Sequence, residues 1–493
     1  MSHSSQKSVI VIGAGFGGLS AAALLAKDGH RVTVLEKNSQ PGGRAGQIKR
    51  DGFTFDMGPS WYMMPEVFDR FFAEFGKKPS DYYSIQPLHP QYRVVFGDGT
   101  HADITGDQKE DEALFESYEK GAAKKLRQYL REGELKYRIA MDSILYRNMD
   151  SIFDLANNWE LIKNSPHVGV LEPMHRYVKK FFSHHKLQQI IEYNLVFLGC
   201  SPQNAPALFS MMGYVDMGLG VWYPEGGLFG VVKAMEQVAQ EQGVEFVYNS
   251  PVTSLEVEDG RIHTVHCGDT KYTADYVVSN ADYVHTEDLL SEQSLRTIPR
   301  KHWQKKTLTP SAFLLYLGVK GKLPKLQHHT LYFGTDWQKH FADVFDHPRW
   351  PQEPSVYINK TSATDPSVAP KGHENLMVLV PIAPGLEEND MWREHYANFI
   401  LDFLEAKLDI KLKENIVVKE IFSITDFAER YNSYAGNALG GLAHTFFQSA
   451  IWRPANKSKK VANLLFSGAN TVPGIGVPTS VISGHLVRDR LRM

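Results

Sequence analysis

The chain has 493 residues, a length that predicts two or three domains. Charged residues make up 22% of the sequence and the formal net charge is -3, so the composition is that of an ordinary globular protein and indicates no nucleic-acid partner. The two cysteines, Cys200 and Cys267, lie far apart in sequence, which argues against a disulfide scaffold and favours a reducing compartment.

The N-terminal fifty residues predict a dinucleotide-binding unit of strand, helix and strand. Residues 9–12 (VIVI) are a short β-branched run, typical of a buried parallel strand. The glycine-rich segment 13–18 (GAGFGG) follows at once, and residues 19–27 then predict a helix. A second predicted strand at 31–35 ends at an acidic residue, Glu36. A GxGxxG motif in this order, within about thirty residues, is a specific signal for an adenine dinucleotide.

Each residue type in this unit has a physical reason. Gly13 permits the tight turn from strand to helix, Gly15 lets the backbone approach a pyrophosphate, and Gly18 lets the helix pack close to the strand. Free N–H groups and the dipole at the helix N-terminus attract phosphates. The Glu36 carboxylate can accept the ribose hydroxyls and repels a 2′-phosphate. The predicted contacts of the loop are Gly13, Ala14, Gly15, Phe16, Gly17 and Gly18.

Residues 8–26 carry no charge and imitate a signal peptide or a membrane span. Their glycine content and β-branched start argue against a helix that crosses a bilayer. No other stretch reaches the roughly 20 apolar residues that a span needs. We therefore expect a cytoplasmic protein that is peripherally associated with a membrane.

A double glycine and an arginine follow the acidic residue and narrow the choice of cofactor. Gly42 and Gly43 allow the chain to run close beside a bound dinucleotide, and Arg44 can neutralise phosphate charge. A surface turn with a solvated arginine is the alternative interpretation of these three residues taken alone. Nicotinamide dehydrogenases do not usually place this pattern so soon after the acid, so the segment favours FAD.

Three segments together carry a resemblance to a known family. Residues 12–22 (IGAGFGGLSAA), 35–46 (LEKNSQPGGRAG) and 51–60 (DGFTFDMGPS) resemble the FAD-dependent amine oxidase and carotenoid desaturase superfamily. The third segment is most similar to the bacterial phytoene desaturase type. The resemblance implies that FAD is the cofactor. It also implies five further cofactor contacts beyond the loop and Glu36, namely Lys37, Gly43, Arg44, and Pro59 and Ser60 in a turn near the flavin.

The middle of the chain adds one cofactor residue and several strands. Segments 243–249 and 251–257 predict paired strands, and the resemblance implies that the backbone of Val252 meets the adenine. Trp222 and Tyr223 are candidates for the wall of a polyene tunnel, and equally for core residues.

A basic stretch and two histidine pairs complete this part of the sequence. The basic stretch predicts a solvated face, or alternatively a surface that docks on anionic lipid; it consists of Arg296, Arg300, Lys301, Trp303, Lys305 and Lys306. The pairs His184–His185 and His328–His329 predict no metal site, because adjacent side chains point apart in regular structure and lack clustered partners.

The C-terminus is the second specific signal. Residues 463–470 predict a strand that ends in small residues, and a helix is expected from about Thr479. This region resembles the C-terminal signature of carotenoid desaturases, which implies that Gly468, Asn470 and Val477 contact the cofactor and that a helix N-terminus faces the flavin. The family often has glycine, histidine and glycine at the positions of Asn470, Val472 and Thr479.

The predicted fold class is α/β. A Rossmann-like FAD-binding domain, a parallel sheet with helices, is assembled from residues 7–90, 220–290 and 455–493. A mixed α+β domain for the substrate and the membrane surface takes up residues 91–219 and 291–454.

The resemblance implies an FAD-dependent carotenoid desaturase that introduces double bonds into phytoene, giving neurosporene or lycopene, by hydride transfer to the flavin. A hydroxylated carotenoid end and a thirty-carbon diapocarotenoid are alternative substrates. A non-catalytic lipid-binding protein of the Rab GDP-dissociation-inhibitor type is the alternative outside enzymes. The expected partners are a lipophilic polyene, a membrane surface, and a quinone or oxygen as electron acceptor. The sequence identifies no catalytic residue.

Overall fold

Two large sheets organise the chain, in a computed structural model that describes residues 6–151, 153–154 and 172–492. Within these ranges the strands are β1 Ser8–Ile12, β2 Arg31–Leu35, β3 Gln47–Arg50, β4 Phe53–Asp56, β5 Ile85–Pro87, β6 Tyr92–Phe96, β7 His101–Ile104, β8 Trp222–Pro224, β9 Glu245–Val247, β10 Ser254–Glu258, β11 Arg261–Cys267, β12 Thr270–Thr273, β13 Tyr276–Ser279, β14 Ser311–Lys320, β15 His329–Phe333, β16 Val356–Asn359, β17 His373–Ile382, β18 Ile416–Phe422 and β19 Leu464–Phe466. The α-helices of six or more residues are α1 Phe16–Lys27, α2 Pro65–Ala73, α3 Gln108–Tyr118, α4 Ala122–Ala140, α5 Met174–Lys179, α6 His185–Glu192, α7 Gly227–Glu241, α8 Tyr283–Asp288, α9 Asp390–Leu408, α10 Ile424–Tyr431 and α11 Val477–Arg492.

The first sheet is fully parallel, with the strand order β19-β13-β1-β2-β9. Its central strand β1 is buried on both faces. Val9 and Val11 pack into a core shared with α1, α7 and α11, whereas Ile10 and Ile12 pack towards the small sheet β10-β11-β12. A strand covered on both sides has no polar face, which explains why residues 9–12 do not alternate.

The two ends of the chain meet on this sheet, where α1 packs against α11. A Cβ at Gly484 would lie 2.3 Å from Ser20 Oγ, so the glycine permits the close approach of the two helices. The Ser20 hydroxyl donates to Val481 O at 2.7 Å. The C-terminal helix is therefore part of the dinucleotide-binding unit.

The second sheet has seven strands in the order β18-β14-β17-β16-β15-β6-β7, all antiparallel to their neighbours except β15 and β6. Strand β14 is apolar on both faces: Ala312 and Leu314 face one core, and Phe313 and Leu315 face the core under α9. The first of these faces borders the cavity described below.

The positions of the strands agree with the predicted division of the chain, whose boundaries stay a prediction. Strands of the parallel sheet lie in the segments assigned to FAD, and strands of the seven-stranded sheet lie in those assigned to the substrate. Residues 155–171 of the second domain lie outside the described residues. The predicted pairing of 243–249 with 251–257 is wrong, because β9 extends the parallel sheet beside β2 and β10 pairs with β11 instead.

A buried carboxyl group in the second core makes the stability of the protein depend on pH. Asp216 is 1% exposed, and its Oδ2 accepts from Tyr92 Oη at 2.8 Å and from Tyr193 Oη at 3.1 Å. Burial raises the pKa of Asp216 to about 7, although both hydroxyls oppose this shift. The raised pKa means that the folded protein holds this proton more tightly than the unfolded chain. The resulting stability is fully present below the unfolded pKa near 4 and is lost as the pH rises to about 7.

Asp216→Asn is therefore expected to flatten the pH dependence of unfolding. An amide oxygen can still accept from the two tyrosines but carries no charge. Between pH 5 and pH 8 the wild type should lose on the order of 3 kcal/mol more unfolding free energy than the variant, as measured by urea titration. The exposed Asp346→Asn is the control. Parallel curves for wild type and Asp216→Asn would contradict the assignment.

Candidate active site

The glycine-rich loop connects β1 to the first turn of α1. Gly13 has a φ of +94°, and its N–H donates to Leu35 O at 2.8 Å. A Cβ at Gly15 would lie 2.6 Å from Asn280 Oδ1, and one at Gly18 would lie 2.0 Å from Gly13 O. These positions therefore exclude side chains because of the protein's own packing, in addition to any need to approach a phosphate.

Helix α1 points its N-terminus at the cavity. It begins at Phe16, three residues before the predicted start at Leu19. A Cβ at Gly17 would lie 2.7 Å from the backbone nitrogen of Gly468, so the first turn of α1 touches the C-terminal segment directly. The free N–H groups and positive dipole of this turn suit a pyrophosphate.

Glu36 joins this loop to the end of β2. The side chain is 4% exposed, and its Oε2 accepts from the Ala14 N–H at 2.8 Å. Its Oε1 accepts from the Asn38 N–H, also at 2.8 Å. Both oxygens are thus held in place, and the carboxylate is oriented before any ligand binds.

The double glycine folds back onto the loop and presents Arg44. Gly42 donates to Ala14 O at 2.7 Å, and both Gly42 and Gly43 have positive φ values of 105° and 55°. The Arg44 Nη2 donates to Ser433 Oγ at 3.0 Å, while its buried Nε has no hydrogen-bond partner among the described residues. Burial lowers the pKa of Arg44 and is opposed by the nearby carboxylate of Asp282. An unused N–H of this kind suits a phosphate oxygen.

The loop after β9 carries Val252, for which a contact with adenine is predicted. Ser250 donates to Glu36 O at 2.8 Å, which brings Val252, 8% exposed, to the cavity beside that carboxylate. The Lys37 ammonium group is bound by other parts of the chain, because its Nζ donates to Asn432 Oδ1 at 2.8 Å and to Glu429 O. Burial lowers the pKa of Lys37.

The C-terminal segment closes the same site. Gly468 has a φ of +95° and donates its N–H to Ser483 Oγ at 2.6 Å. The Asn470 Nδ2 donates to Asp282 Oδ2 at 3.2 Å, and its buried Oδ1 is unpaired within the described chain. Helix α11 begins at Val477, so its N-terminus opens on the cavity as expected.

Two residues beside this segment are absent from the sequence prediction. His444 Nε2 accepts from the Ile475 N–H at 3.2 Å, so a histidine lies at this loop although Val472 occupies the family position. Arg453 is buried and donates to Leu442 O at 2.9 Å and to Ala469 O at 3.0 Å. Burial lowers the pKa of Arg453 to about 9. No local pattern in the sequence distinguishes either residue from a core residue.

A single cavity of about 540 Å³ connects all these parts. It is lined by the predicted site residues Gly13, Gly15, Phe16, Gly17, Glu36, Lys37, Gly43, Arg44, Pro59, Ser60, Val252, Gly468, Asn470 and Val477. Two predicted contacts, Ala14 and Gly18, do not line it. The Ala14 N–H is taken up by Glu36, and Gly18 faces back to Gly13.

Beyond the turn at Pro59 and Ser60 the cavity continues as an apolar space under the seven-stranded sheet. The wall of this space includes Tyr137, Ala140, Ile144, Leu145, Val196, Leu198, Leu208, Phe209, Met211, Met212, Val215, Leu314, Leu331, Phe333, Trp337, Phe341 and Leu379. Trp222 and Tyr223 are not part of this wall. Both pack against a core cluster, and the Tyr223 hydroxyl donates to Asp365 at 2.8 Å.

A buried polar chain interrupts the apolar wall next to the turn. Ser60 Oγ and Tyr357 Oη are 2.6 Å apart, and Tyr357 Oη lies 2.8 Å from His329 Nδ1. The His329 ring stacks on Trp61 with centroids 4.1 Å apart and an interplanar angle of 8°. In the sequence prediction His329 appears only in an adjacent histidine pair, and Tyr357 is not among the candidate residues.

The other candidates from the sequence lie elsewhere. Among residues 6–151 and 172–492 no three His, Cys, Asp or Glu side chains are grouped to hold a metal ion. The expectation that paired histidines point apart is wrong for both pairs, because β15 begins only at His329 and α6 only at His185. The rings of His328 and His329 lie 4.5 Å apart, and those of His184 and His185 stack at 5.0 Å. Trp303 of the basic stretch is 2% exposed and packs on Tyr283, so it cannot insert into a membrane.

These features fit an adenine dinucleotide with a flavin. Gly15, Gly17 and Gly18 have no room for a Cβ, the Glu36 carboxylate is fixed at the end of β2, where this motif predicts a ribose, and a buried N–H of Arg44 is unused. The same cavity is lined by polar groups at the glycine-rich loop and by apolar side chains under the seven-stranded sheet, and the apolar part suits an extended lipophilic molecule.

Comparison with known proteins identifies the class. The sequence profile of the flavin containing amine oxidoreductases matches residues 16–491. The chain belongs to this family, and its cofactor is FAD. Among solved structures, an oxidoreductase from Methanosarcina mazei covers 98% of this chain and all of its own with a TM-score of 0.64 at 18% identity. Putrescine oxidase with bound putrescine has a TM-score of 0.61 at 16% identity and covers 99% of both chains. These two structures show the fold.

Curated relatives narrow the family further. A carotenoid 3,4-desaturase of Haloarcula japonica is 46% identical over 493 residues, which are 100% of this chain and 99% of the relative. A zeta-carotene-forming phytoene desaturase of Myxococcus xanthus is 35% identical, and the alignment covers 100% of this chain and 95% of that protein. A 4,4'-diapolycopene oxygenase of a Methylomonas species is 32% identical over 100% and 99% of the two chains. The predicted resemblance to carotenoid desaturases is confirmed, as is an FAD-dependent oxidoreductase acting on a CH–CH bond.

Proposed function

We propose that this protein forms the 3,4 double bond of a carotenoid with FAD as the oxidant. The single observation that carries the proposal is the continuous cavity, which joins the dinucleotide cradle to an apolar space in one chain. The identity of 46% to a carotenoid 3,4-desaturase over the whole of this chain supports the position of the bond. The carbons of a carotenoid are numbered from the end of the chain, so the reacting bond lies close to one end of the polyene. The predicted alternative substrate with a hydroxylated end would also react near its end.

In this reaction two hydrogens leave adjacent carbons. When bound, FAD takes up one of them with its electron pair. The protein's own task is to hold the extended polyene in one register and to exclude water. The apolar wall does both, since residues such as Leu314, Phe333 and Phe341 offer contacts along the chain without competing hydrogen bonds. A quinone or oxygen is the proposed final electron acceptor.

A second candidate is desaturation of phytoene itself. The specific observation in its favour is the identity of 35% to a zeta-carotene-forming phytoene desaturase, again over the whole chain. Both candidates are desaturations with the same chemistry. They differ in which carbon–carbon bond of the polyene reacts. The non-catalytic lipid-binding alternative is set aside, because the chain belongs to a flavin-dependent enzyme family.

Expression in carotenoid-producing hosts tests both candidates. One host should accumulate phytoene, a second lycopene, and a third an acyclic carotenoid with a hydroxylated end. We expect a product with one additional conjugated double bond in the second or third host and unchanged phytoene in the first, measured by absorption spectra and mass. Conversion of phytoene would favour the second candidate. Unchanged pigments in all three hosts would contradict both.

The substrate also requires a route to the cavity. Burial of one CH₂ group is worth about 0.8 kcal/mol, so a forty-carbon polyene gains on the order of 30 kcal/mol in a bilayer and does not leave it for water. No helix in the described part of the chain is long and apolar enough to cross a membrane. We therefore propose that the protein collects its substrate by docking on the bilayer surface.

The structure offers a surface of suitable chemistry for this docking, which we call the 447–452 loop. Phe447 is 74% exposed and Trp452 is 51% exposed, and their rings pack edge to face with centroids 6.2 Å apart. Ser449 and Ala450 of the same loop line the cavity, so the exposed rings lie beside the substrate space. Lys306, Lys457 and Lys459 line a surface recess together with Trp452, and Lys457 pairs with Asp150 at 2.8 Å. Exposed aromatic rings with cationic neighbours are typical of surfaces that bind anionic lipid.

A further inference from the structure

We propose that Ser60, Tyr357 and His329 form a proton wire that receives the proton released from the carotenoid during desaturation. The proposal deepens the proposed function and rests on it. Removal of two hydrogens sends one to FAD with its electron pair and leaves the other to depart as a proton. The protein must supply an acceptor for that proton, and a buried polar chain reaches the cavity at Ser60, beside the apolar wall.

The wire begins at the cavity and ends in the core of the second sheet. Ser60 lines the cavity at the turn after β4 and is 8% exposed, and Tyr357 lines it from β16 at 7%. His329, at the start of β15, is fully buried behind Tyr357. The successive distances of 2.6 Å and 2.8 Å make a continuous path of hydrogen bonds from the cavity to the imidazole.

The hydrogen bonds of Asn359 fix the direction of the wire. The Asn359 Oδ1 accepts from Thr361 Oγ1 at 2.7 Å, so its Nδ2 is the atom that faces His328 O and His329 Nδ1, each at 3.4 Å. An amide N–H at that position requires His329 Nδ1 to be unprotonated. Tyr357 then donates its single proton to Nδ1 and accepts from Ser60 Oγ.

His329 has the properties of a transient acceptor. Burial holds the pKa of His329 well below its usual value, so the ring is neutral and able to accept before the reaction. A weak base suffices here, because loss of a hydrogen with its electron pair makes the neighbouring C–H bond strongly acidic. Once protonated, the ring lies flat on the indole of Trp61 at 4.1 Å, where a cation is attracted to the aromatic face.

The step balances along the wire. The electron pair of the breaking C–H bond becomes the new carbon–carbon π bond, and the proton moves to Ser60 Oγ. Ser60 passes its own proton to Tyr357, and Tyr357 passes its own to His329 Nδ1. Both hydroxyls are unchanged at the end, and the imidazolium carries the positive charge.

Tyr357→Phe tests the wire, because it removes the central hydroxyl and keeps the ring. The matched control is Tyr83→Phe, another buried tyrosine, whose hydroxyl pairs with that of Tyr62 at 2.9 Å outside the cavity. The FAD-loaded proteins are mixed without oxygen with the carotenoid that wild type converts, in lipid vesicles. The bleaching of the flavin absorbance then gives the rate of a single turnover.

We expect Tyr357→Phe to bleach about a hundredfold more slowly than wild type while its FAD affinity is unchanged, and Tyr83→Phe to bleach at the wild-type rate. Wild type should also bleach more slowly in heavy water, and this isotope effect should disappear in Tyr357→Phe. A wild-type rate in Tyr357→Phe would overturn the wire. If Tyr357→Phe is slow but wild type shows no isotope effect in heavy water, the role of Tyr357 is packing, and this result would also overturn the wire. If no carotenoid bleaches the wild type, the proposed function itself fails and the wire with it.

Discussion

Glu36→Gln is expected to weaken the binding of FAD about a hundredfold. The carboxylate accepts from the N–H groups of Ala14 and Asn38 with separate oxygens, each at 2.8 Å. An amide has only one oxygen, so its NH₂ group must face one of these two donors. The variant also loses the charge that strengthens a hydrogen bond from the ribose. A hydrogen bond to a charged group contributes about 1.5–3 kcal/mol, and a loss near 3 kcal/mol corresponds to about two orders of magnitude in Kd.

The affinity is measured by titrating apoprotein with FAD and following the quenching of flavin fluorescence. Glu245→Gln is the matched control, because Glu245 lies on β9 of the same sheet and its side chain is exposed. We expect the control to bind FAD as wild type does. An unchanged Kd in Glu36→Gln would mean that the ribose hydroxyls are bound by other groups, and it would remove Glu36 from the site.

The sequence predicts the cofactor half of the site because that half is encoded locally. Strand β1, the loop and β2 are consecutive, and each glycine is required by a turn or a close approach that its neighbours create. The local sequence still does not give the whole reason for a glycine at position 15. Gly15 must also make room for Asn280, a residue more than 260 positions away. Only the fold shows a contact of that kind.

The substrate half is not encoded in this way. Ser60, His329 and Tyr357 come from a turn and two strands that adjoin only in the folded sheet, and Arg453 meets Ala469 through a loop. A buried histidine or tyrosine in an apolar strand looks the same in sequence whether it packs or carries a proton. The contacts that distinguish the two cases are long-range.

Trp303 is a residue for which the sequence suggests a function but the structure shows packing. An aromatic residue among lysines favours a membrane-docking interpretation, but its local sequence does not show which way the helix turns. The short helix that ends at Trp303 packs against Tyr283 and buries the indole, and it leaves Lys301 and Lys305 exposed. Exposed rings occur at Phe153 and in a separate segment, the 447–452 loop, and those of the loop lie beside residues that line the cavity.

Replacing both Phe447 and Trp452 by alanine is expected to weaken binding to anionic vesicles about a hundredfold. Full burial of one large apolar side chain is worth about 1.5–3 kcal/mol, and a lipid surface buries only part of each ring, so the pair together contributes near 3 kcal/mol. Co-sedimentation with liposomes of mixed neutral and anionic lipid measures the partition. Met391→Ala is the matched control, since Met391 is 79% exposed on α9, which covers the sheet face away from the cavity.

Salt separates the two parts of the docking surface. Reversing the charge of Lys306 and Lys459 removes about 1 kcal/mol of attraction for each lost cation at low ionic strength, and this effect should shrink as salt screens the surface. The loss caused by removing the two rings should persist in high salt, because apolar insertion does not depend on screening. The ring variant should also convert detergent-solubilised carotenoid at the wild-type rate and fail only with substrate in vesicles. If the variant binds vesicles as wild type does, the 447–452 loop is not the docking surface.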